Sequence, residues 1–353
     1  MIDICISFMD SSINIKIEEK NMYRLKPVMT LFGTHLDITR SLAENPIAWL
    51  NIFSADEYKS ENFIPRDNRG KEVIMRVSSA ERFNLSATHY VVEGLDIFEC
   101  KDSKTIMIFD FENKKVDIYA SEDSDIQIIE LIRDTIIKDQ ENKGTLVLHA
   151  AAAVNGSNAV VIVGSKGAGK TTTLLELVMN GGYRMVSGDK LFLKVEEDGV
   201  KLTGWPDYPH LGVGTILKHS KLVDMVKRLY CKDVERMLIQ KKILIQPDVL
   251  VRETGIEFSR ETHKLDKILF PKLIDNVKSK LAKMDTPSIE DIIENLEFKG
   301  DYPQNKWNRL VIPDYQKREE NVDKLRKAVR NCSYYILEGN LRMSEEIVKE
   351  LTV

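Results

Sequence analysis

The chain has 353 residues, 43% of them hydrophobic and 30% charged, with a formal net charge of −4. This composition suits a globular protein with one large core or two smaller ones, and its charge balance offers nucleic acid or an anionic membrane no bulk attraction. No run approaches the roughly 20 apolar residues of a membrane span, so neither membrane nor nucleic acid is expected as a partner.

The opening MIDICISFMDSS has neither a basic segment nor a long apolar one. Cys5, Cys100, Cys231 and Cys332 are scattered, without CxxC spacing or a histidine at metal-ligand distance. A reduced, cytoplasmic chain is the expectation. The first 120 residues read as β-rich: KTIMIFDF (104–111) and KKVDIYA (114–120) carry β-branched and aromatic residues around the turn-like ENKK. SENFIPRDNRGKE (60–72) reads as a surface loop. The period then changes, with Ile126, Ile129, Ile132 and Ile136 on one helical face, Ser124 or Asp125 able to cap it, and Asn142-Lys143-Gly144 to stop it. These features divide the chain into a β-rich region over 1–142, ending in a helix, and a chemistry-bearing region over 143–353.

Beyond the boundary, TLVLHAAAAV and AVVIVG are predicted as two strands joined by the hairpin turn NGSN. A glycine-punctuated loop follows, then a helix to about Asn180, the Gly181-Gly182 doublet and the strand YRMVS. After residue 215 helices dominate, with KILFPKL (267–273) and SYYIL (333–337) as strands, so the fold class is α/β. The lysine-rich run Lys218–Lys242 is interleaved with acids and apolar residues and reads as the wet face of a helix.

Residues Gly164, Ser165, Lys166, Gly167, Ala168, Gly169, Lys170 and Thr171 fit G-x-x-x-x-G-K-[ST] between an apolar strand and a helix. Glycines let successive N–H groups turn inward on an anion, and the following helix adds the positive end of its dipole. In such a loop Lys170 reaches the terminal phosphates of ATP, and the Thr171 hydroxyl ligates Mg²⁺. Lys166 is a second cation within the loop. Phosphoryl transfer also needs a carboxylate for the metal and a group to ready the acceptor. Asp189, just past YRMVS, is the candidate, since loops at the carboxyl ends of neighbouring strands share one crevice; the other reading is a turn aspartate. His149 ends TLVLH before four alanines whose small side chains let backbone or ligand come close, and is either a phosphate contact or proton acceptor, or a structural histidine.

The stretch LVLHAAAAVNGSNAVVIVGSKGAGKTTTLLELVMNGGYRMVSGDK resembles the catalytic core of HPr kinase/phosphorylase, with a histidine on a strand before the loop and an acidic site after the helix. The resemblance is close over about 45 residues and continues loosely through GWPDYPHLGVGTI and KILFPKL. It implies a P-loop core with a mixed central sheet, like that of phosphoenolpyruvate carboxykinase, preceded by the β-rich region. It implies that residues Gly164 to Thr172 hold ATP phosphates, that His149 lies beside them, and that Asp189 is a metal ligand or the base. The implied reaction is phosphorylation of a hydroxyl, on a small metabolite of specialised biosynthesis or on a serine of a peptide or protein. Rings of subunits in that family imply a homo-oligomer.

The sequence departs from the family where Gly188-Asp189-Lys190 replaces two adjacent aspartates, leaving Lys190 either to neutralise phosphate charge or to be solvated. The C-terminal third lacks the HPr-docking and phosphorolysis signature, which argues against HPr as substrate and against the reverse reaction. Asp207 or His210 in GWPDYPHLGVG, and Arg252 or Arg260, are further candidates that spacing does not separate from solvated surface residues. Two alternatives to a kinase are a non-catalytic ATP-binding regulatory module and a degenerate family member; neither needs a carboxylate beside His149.

Overall fold

The computed structural model describes residues 1–65, 68–78, 83–286, 288–301 and 306–352. The chain divides into two compact units, Met1–Gly144 with Phe298–Arg318, and Thr145–Glu297 with Glu319–Val353. Both are mixed α/β, built on large mixed sheets. Among the described residues no helix is long and apolar enough to cross a membrane.

The first unit contains β1 (Ile2–Phe8), β2 (Ser11–Ile17), α1 (Lys26–Phe32), β3 (Asp37–Thr39), β4 (Ala48–Ser54), β5 (Lys71–Arg76), β6 (Leu85–Val92), β7 (Leu95–Cys100), β8 (Thr105–Asp110), β9 (Lys115–Ala120) and α2 (Asp125–Asn142). Among the described residues nine strands pair in the order β3-β1-β2-β4-β9-β8-β7-β6-β5, antiparallel except at β2–β4 and β4–β9. Alternation sets the buried face: Ala48, Leu50 and Ile52 of β4 and Val116 and Ile118 of β9 are fully buried, with partly exposed residues between them. ENKK forms the expected β8–β9 hairpin. Of the stretch read as a surface loop, residues 66 and 67 lie outside the described residues, while Ser60–Asn62 is a short 3₁₀ turn and Lys71 opens β5.

Helix α2 differs from expectation in two ways. Ser124 occupies the N-cap position, but its hydroxyl is taken by the Ser121 N–H at 2.8 Å and by Thr105 Oγ1 at 2.6 Å, so it does not cap the helix. The helix is also buried beyond one face, because residues 298–318 return to this unit and cover its polar side. Lys138 Nζ donates to the Asn308 carbonyl at 2.7 Å, and Asn308 Nδ2 donates to Asp134 at 2.9 Å. Trp307 packs edge-on against Phe98 and Phe109 and donates its indole N–H to the Met75 carbonyl at 3.1 Å. The sequence reading kept all of 143–353 together; tertiary packing gives 298–318 to the first unit.

Two buried carboxyls on α2 titrate in opposite senses. Burial pushes Glu130 up, but Arg133, Lys299 and Arg76 outweigh it and hold the group at about 2. Burial dominates at Glu141 and raises it to about 8, although the Lys299 N–H donates to its carboxyl at 3.0 Å. Between pH 4.5, the ordinary glutamate value, and about 8, the native state keeps a proton on Glu141 that the unfolded chain has released. Its stabilisation is therefore full at the acid end and declines as pH rises, by about 1.4 kcal/mol per pH unit while the difference is one proton. Glu141→Gln keeps the acceptor for Lys299 and removes that slope. Urea midpoints at pH 5 and pH 8 are expected to differ less in the variant than in the parent chain.

The second unit contains β10 (Leu146–His149), β11 (Ala151–Asn155), β12 (Asn158–Ile162), α3 (Lys170–Asn180), β13 (Arg184–Ser187), β14 (Lys190–Glu196), β15 (Gly199–Gly204), β16 (His210–Gly212), α4 (Val213–Ile216), α5 (Ser220–Tyr230), β17 (Lys242–Leu244), α6 (Pro247–Thr254), β18 (His263–Leu273), β19 (Lys280–Lys283), α7 (Ile289–Ile293) and β20 (Leu296–Glu297). The chain returns to the second unit at Glu319, within α8 (Tyr315–Ala328), and continues with β21 (Ser333–Gly339) and α9 (Glu345–Thr352). The large sheet follows β13-β11-β12-β18-β15-β14-β10-β20, with β21 pairing β18 and β19. Strand β12 is apolar from Ala159 to Ile162 because both of its faces are covered there. Ala159 and Val161 meet Ile292, Leu325 and Val329, whereas Val160 and Ile162 meet Leu174, Leu175 and Leu177 of α3.

The hairpin β11–β12 turns at Gly156-Ser157, with Asn155 opposite Asn158. The strand expected through TLVLHAAAAV is, however, broken at Ala150, whose N–H donates to the Leu148 and Asp189 carbonyls, each at 3.0 Å. Strand β10 therefore pairs with β14 and β20, and β11 pairs with β12 and β13. The four alanines are completely buried, alternating between the two apolar clusters. Their small size serves backbone approach rather than ligand approach. In the lysine-rich run Ser220–Tyr230 is α-helix, with Leu222, Met225 and Val226 inward, and Cys231, at φ 50°, stops it; Val234–Arg236 adds one 3₁₀ turn.

Candidate active site

Strand direction gathers the candidate residues. Strand β11 is antiparallel to β12 and β13, and β18 is parallel to β12 and β21, so β13, β12, β18 and β21 all point the same way. The segments after their carboxyl ends share one sheet edge. Gly188-Asp189 follows β13, the glycine loop follows β12, and Leu341 lies just beyond β21. Strand β11 runs the other way and starts at that edge, which puts His149, two residues before it, there as well.

The loop is fastened below and open above. The Val163 N–H donates to the Leu269 carbonyl at 3.0 Å, and the Ala168 carbonyl accepts from the Leu273 N–H at 3.2 Å. Gly169 caps α3 with φ 107°, where a Cβ would collide with Leu341. Gly167 has φ 90° with no atom within 4 Å of a Cβ position, and Ser165 and Lys166 are exposed beside it. The first N–H groups of α3, from Lys170 to Thr172, lack helical partners by construction and face the loop end. Lys170 Nζ donates to the Gly164 carbonyl at 2.6 Å, folded over the loop rather than out into solvent. Burial lowers the pKa of this ammonium, Asp189 acts to raise it, and Lys242 lowers it further.

Around Asp189 the side chains form a connected charged group. His149 Nδ1 lies 3.4 Å from Asp189 Oδ1 and 3.5 Å from Glu297 Oε1. Lys190 Nζ is 3.8 Å from Asp189 Oδ2 and hydrogen-bonded to Glu297 Oε2. Burial works against the charge on Asp189, but Lys190, His149 and a hydrogen bond from Asp207 hold its carboxyl below the ordinary aspartate range. Glu297 is likewise held far below its usual range against burial by His149 and Lys190.

The structure thus brings together His149, Asp189, Asp207 and Lys170, and it settles Lys190 as a buried partner of carboxylates rather than a solvated cation. Three of the other candidates are turned elsewhere. The Thr172 hydroxyl points away from the loop to Thr215 Oγ1 at 2.8 Å, leaving only its backbone for a ligand. Arg252 is exposed and paired with Glu253 at 3.0 Å. Arg260 is exposed beside Glu261, which pairs with Arg184 at the opposite end of β13 from Asp189. His210 opens β16 opposite Leu244.

One member of the group escaped the sequence reading. Glu297 lies in a two-residue strand opposite Val147, and no local pattern marks it. Among the described residues no three His, Cys, Asp or Glu side chains are grouped to hold a metal ion unaided. Magnesium in phosphate sites is characteristically held by one or two carboxylates together with phosphate oxygens and water, and the chemistry of Asp189, Asp207 and the Thr171 hydroxyl fits that role.

The second unit is therefore a mixed α/β fold whose sheet edge joins a glycine-rich loop to an acid–imidazole group. No protein-family model matches the chain, and no curated protein matches it.

Proposed function

We propose that this chain is an ATP- and Mg²⁺-dependent phosphotransferase acting on a hydroxyl group, with a P-loop core of the HPr kinase/phosphorylase type. The observation that carries the reading is the placement of His149 Nδ1 3.4 Å from Asp189 Oδ1, with Asp189 acting electrostatically on Lys170 of the loop. A nucleotide sensor needs the cradle alone; the adjoining acid and imidazole favour catalysis.

In this reading the amides of residues 164–172, the N-terminus of α3 and the Lys170 ammonium hold the polyphosphate. Thr171 and Asp189 hold Mg²⁺. Bound MgATP supplies an electrophilic γ-phosphoryl group. Asp189, with its low pKa, is better suited to metal and charge than to taking a proton. His149 turns Nδ1 towards two carboxylates, which favours a proton there and leaves Nε2 as the acceptor for the hydroxyl proton. The new bond joins the acceptor oxygen to γ-phosphorus, the bridging bond to the β-phosphate breaks, and ADP leaves. The acceptor is a small metabolite of specialised biosynthesis or a serine of a peptide or protein, in the cytoplasm. Homo-oligomerisation belongs to the same proposal.

The test is incubation with γ-labelled ATP, Mg²⁺ and panels of hydroxylated metabolites and serine peptides. Label on an acceptor is expected. ATP binding with neither hydrolysis nor transfer would mark a regulatory module, and absence of ATP binding a degenerate member; either result overturns the proposal.

A further inference from the structure

His149 stands in the middle strand of the ladder β14-β10-β20, and that ladder carries its partners. On one side β14 places Lys190 directly opposite His149; on the other, β20 places Glu297 opposite Val147, which shares a face of β10 with His149. The His149 N–H donates to the Asn295 carbonyl at 2.9 Å, so the backbone that carries the imidazole is tied to the segment that carries the carboxylate. Asn295 is held in turn by its side chain, which donates to the Asp291 carbonyl at 2.6 Å, and Ile292 anchors α7 in the core. Lys190 Nζ reaches across β10 to Glu297 Oε2, while Glu297 Oε1 lies 3.5 Å from His149 Nδ1. Asp189 Oδ1 approaches the same nitrogen at 3.4 Å, but from the short connection between β13 and β14, outside the ladder.

One carboxylate is enough to fix the tautomer of an imidazole, and here two converge on one ring nitrogen. They are not equivalent. Asp189 is the one assigned to Mg²⁺ above, and a carboxylate that shares its charge with a dication is a poorer acceptor for an N–H. The second oxygen of Glu297 is already occupied by Lys190, and its first is left to the ring.

We propose that Glu297 is the positioning residue of His149: it holds the Nδ1 edge of the ring, and so leaves Nε2 to the acceptor hydroxyl, when Asp189 is engaged with Mg²⁺. The assignment rests on the phosphotransferase reading above. Lys190 belongs to the same device, because its ammonium offsets the repulsion between the two carboxylates and fixes which Glu297 oxygen faces the ring. Glutamine at this position has one acceptor oxygen for two donors. With that oxygen turned to Lys190, its amide NH₂ faces Nδ1 and selects the tautomer whose proton is on Nε2, which cannot take another from the acceptor.

Nitrogen NMR of the isotope-labelled full chain reads which ring nitrogen carries the proton, with the His149 signal identified by its loss in His149→Gln. In the parent, the neutral His149 ring is expected to keep its proton on Nδ1, both free and with MgADP bound. Glu297→Gln is expected to keep MgADP affinity within about twofold, to move the proton to Nε2 when MgADP is bound, and to slow label transfer about a hundredfold at unchanged KM for MgATP. Glu297→Asp, which keeps the charge one methylene further away, is expected to recover about tenfold of that loss. Glu261→Gln, which removes the same charge from an exposed ion pair with Arg184, is expected to match the parent. If the parent with MgADP bound carries the proton on Nε2, or if Glu297→Gln keeps both the Nδ1 proton and the parent rate, the assignment is wrong and the phosphotransferase reading stands. A lower melting temperature for Glu297→Gln with an unchanged rate also overturns it, since the Lys190–Glu297 pair would then serve the fold alone. A parent that binds neither nucleotide, or that binds ATP and transfers no label, overturns the reading itself, and the Glu297 assignment with it.

Discussion

Asp189→Asn is expected to leave the chain folded and still able to bind ATP, while slowing phosphoryl transfer by about a thousandfold or more. The fold is spared because the tie to neighbouring backbone is made by the Asp189 carbonyl, which accepts from the Ala150 N–H and is unchanged by the substitution. What is lost is a negative charge facing Lys190, His149 and Lys170. Asparagine still offers an oxygen to Asp207, but as a neutral amide it holds Mg²⁺ weakly and no longer fixes the His149 tautomer through charge. A second readout follows from the sign of the coupling. Asp189 raises the proton affinity of Lys170, so its neutralisation lets Lys170 lose its proton at lower pH. The alkaline limb of the remaining activity is expected to move towards neutrality. Steady-state label transfer across pH, with ATP titrated at each point, measures both effects. Near-normal turnover would remove Asp189 from the chemistry.

Lys170→Met is expected to abolish detectable transfer and the stabilisation of the chain by MgATP. The ammonium makes its contacts within the loop, donating to Gly164 O at 2.6 Å and lying 3.5 Å from Ser165 O, so its removal leaves the core packing of α3 intact. The variant alone should therefore melt close to the parent. The parent should gain about 2.7 kcal/mol when ATP stands at a hundred times its dissociation constant, and the variant should gain little at the same concentration. Equal ATP-dependent shifts in melting temperature would show that Lys170 does not hold the nucleotide. A lower melting temperature without ATP would show a structural role instead.

Much of this site is legible along the chain because its parts are local. The loop from Gly164 to Thr171 needs glycine at Gly167 and Gly169, where φ is 90° and 107°, and a lysine at the first helical position. Short-range sterics impose those residue types, so the pattern is visible without the fold. Asp189 was legible through a topological rule, since residues beyond parallel strands meet at one edge. Asp207 was visible as a residue but not as a partner, because its position depends on β15 ending opposite Leu191, next to the start of β14. Glu297 was not visible at all. It reaches His149 only because a two-residue strand pairs with β10, an arrangement that leaves no periodicity in the sequence. The lysine-rich run was misread in part because exposed lysines suit a helix face and a strand alike: Ser220–Tyr230 is helix, whereas Lys242 opens a strand that pairs with β16.

The sequence by itself determined the α/β class, the hairpin β11–β12, the helix after the glycine loop and the residue types of the loop, all of which follow from backbone sterics and hydrophobic period over a few residues. Only the tertiary structure decided that residues 298–318 complete the first unit, that TLVLHAAAAV is two strands, and that Glu297 and Asp207 have His149 and Asp189 as neighbours. Those outcomes turn on which distant segments bury each other's apolar faces and satisfy each other's charges, and no local stretch of chain encodes that choice.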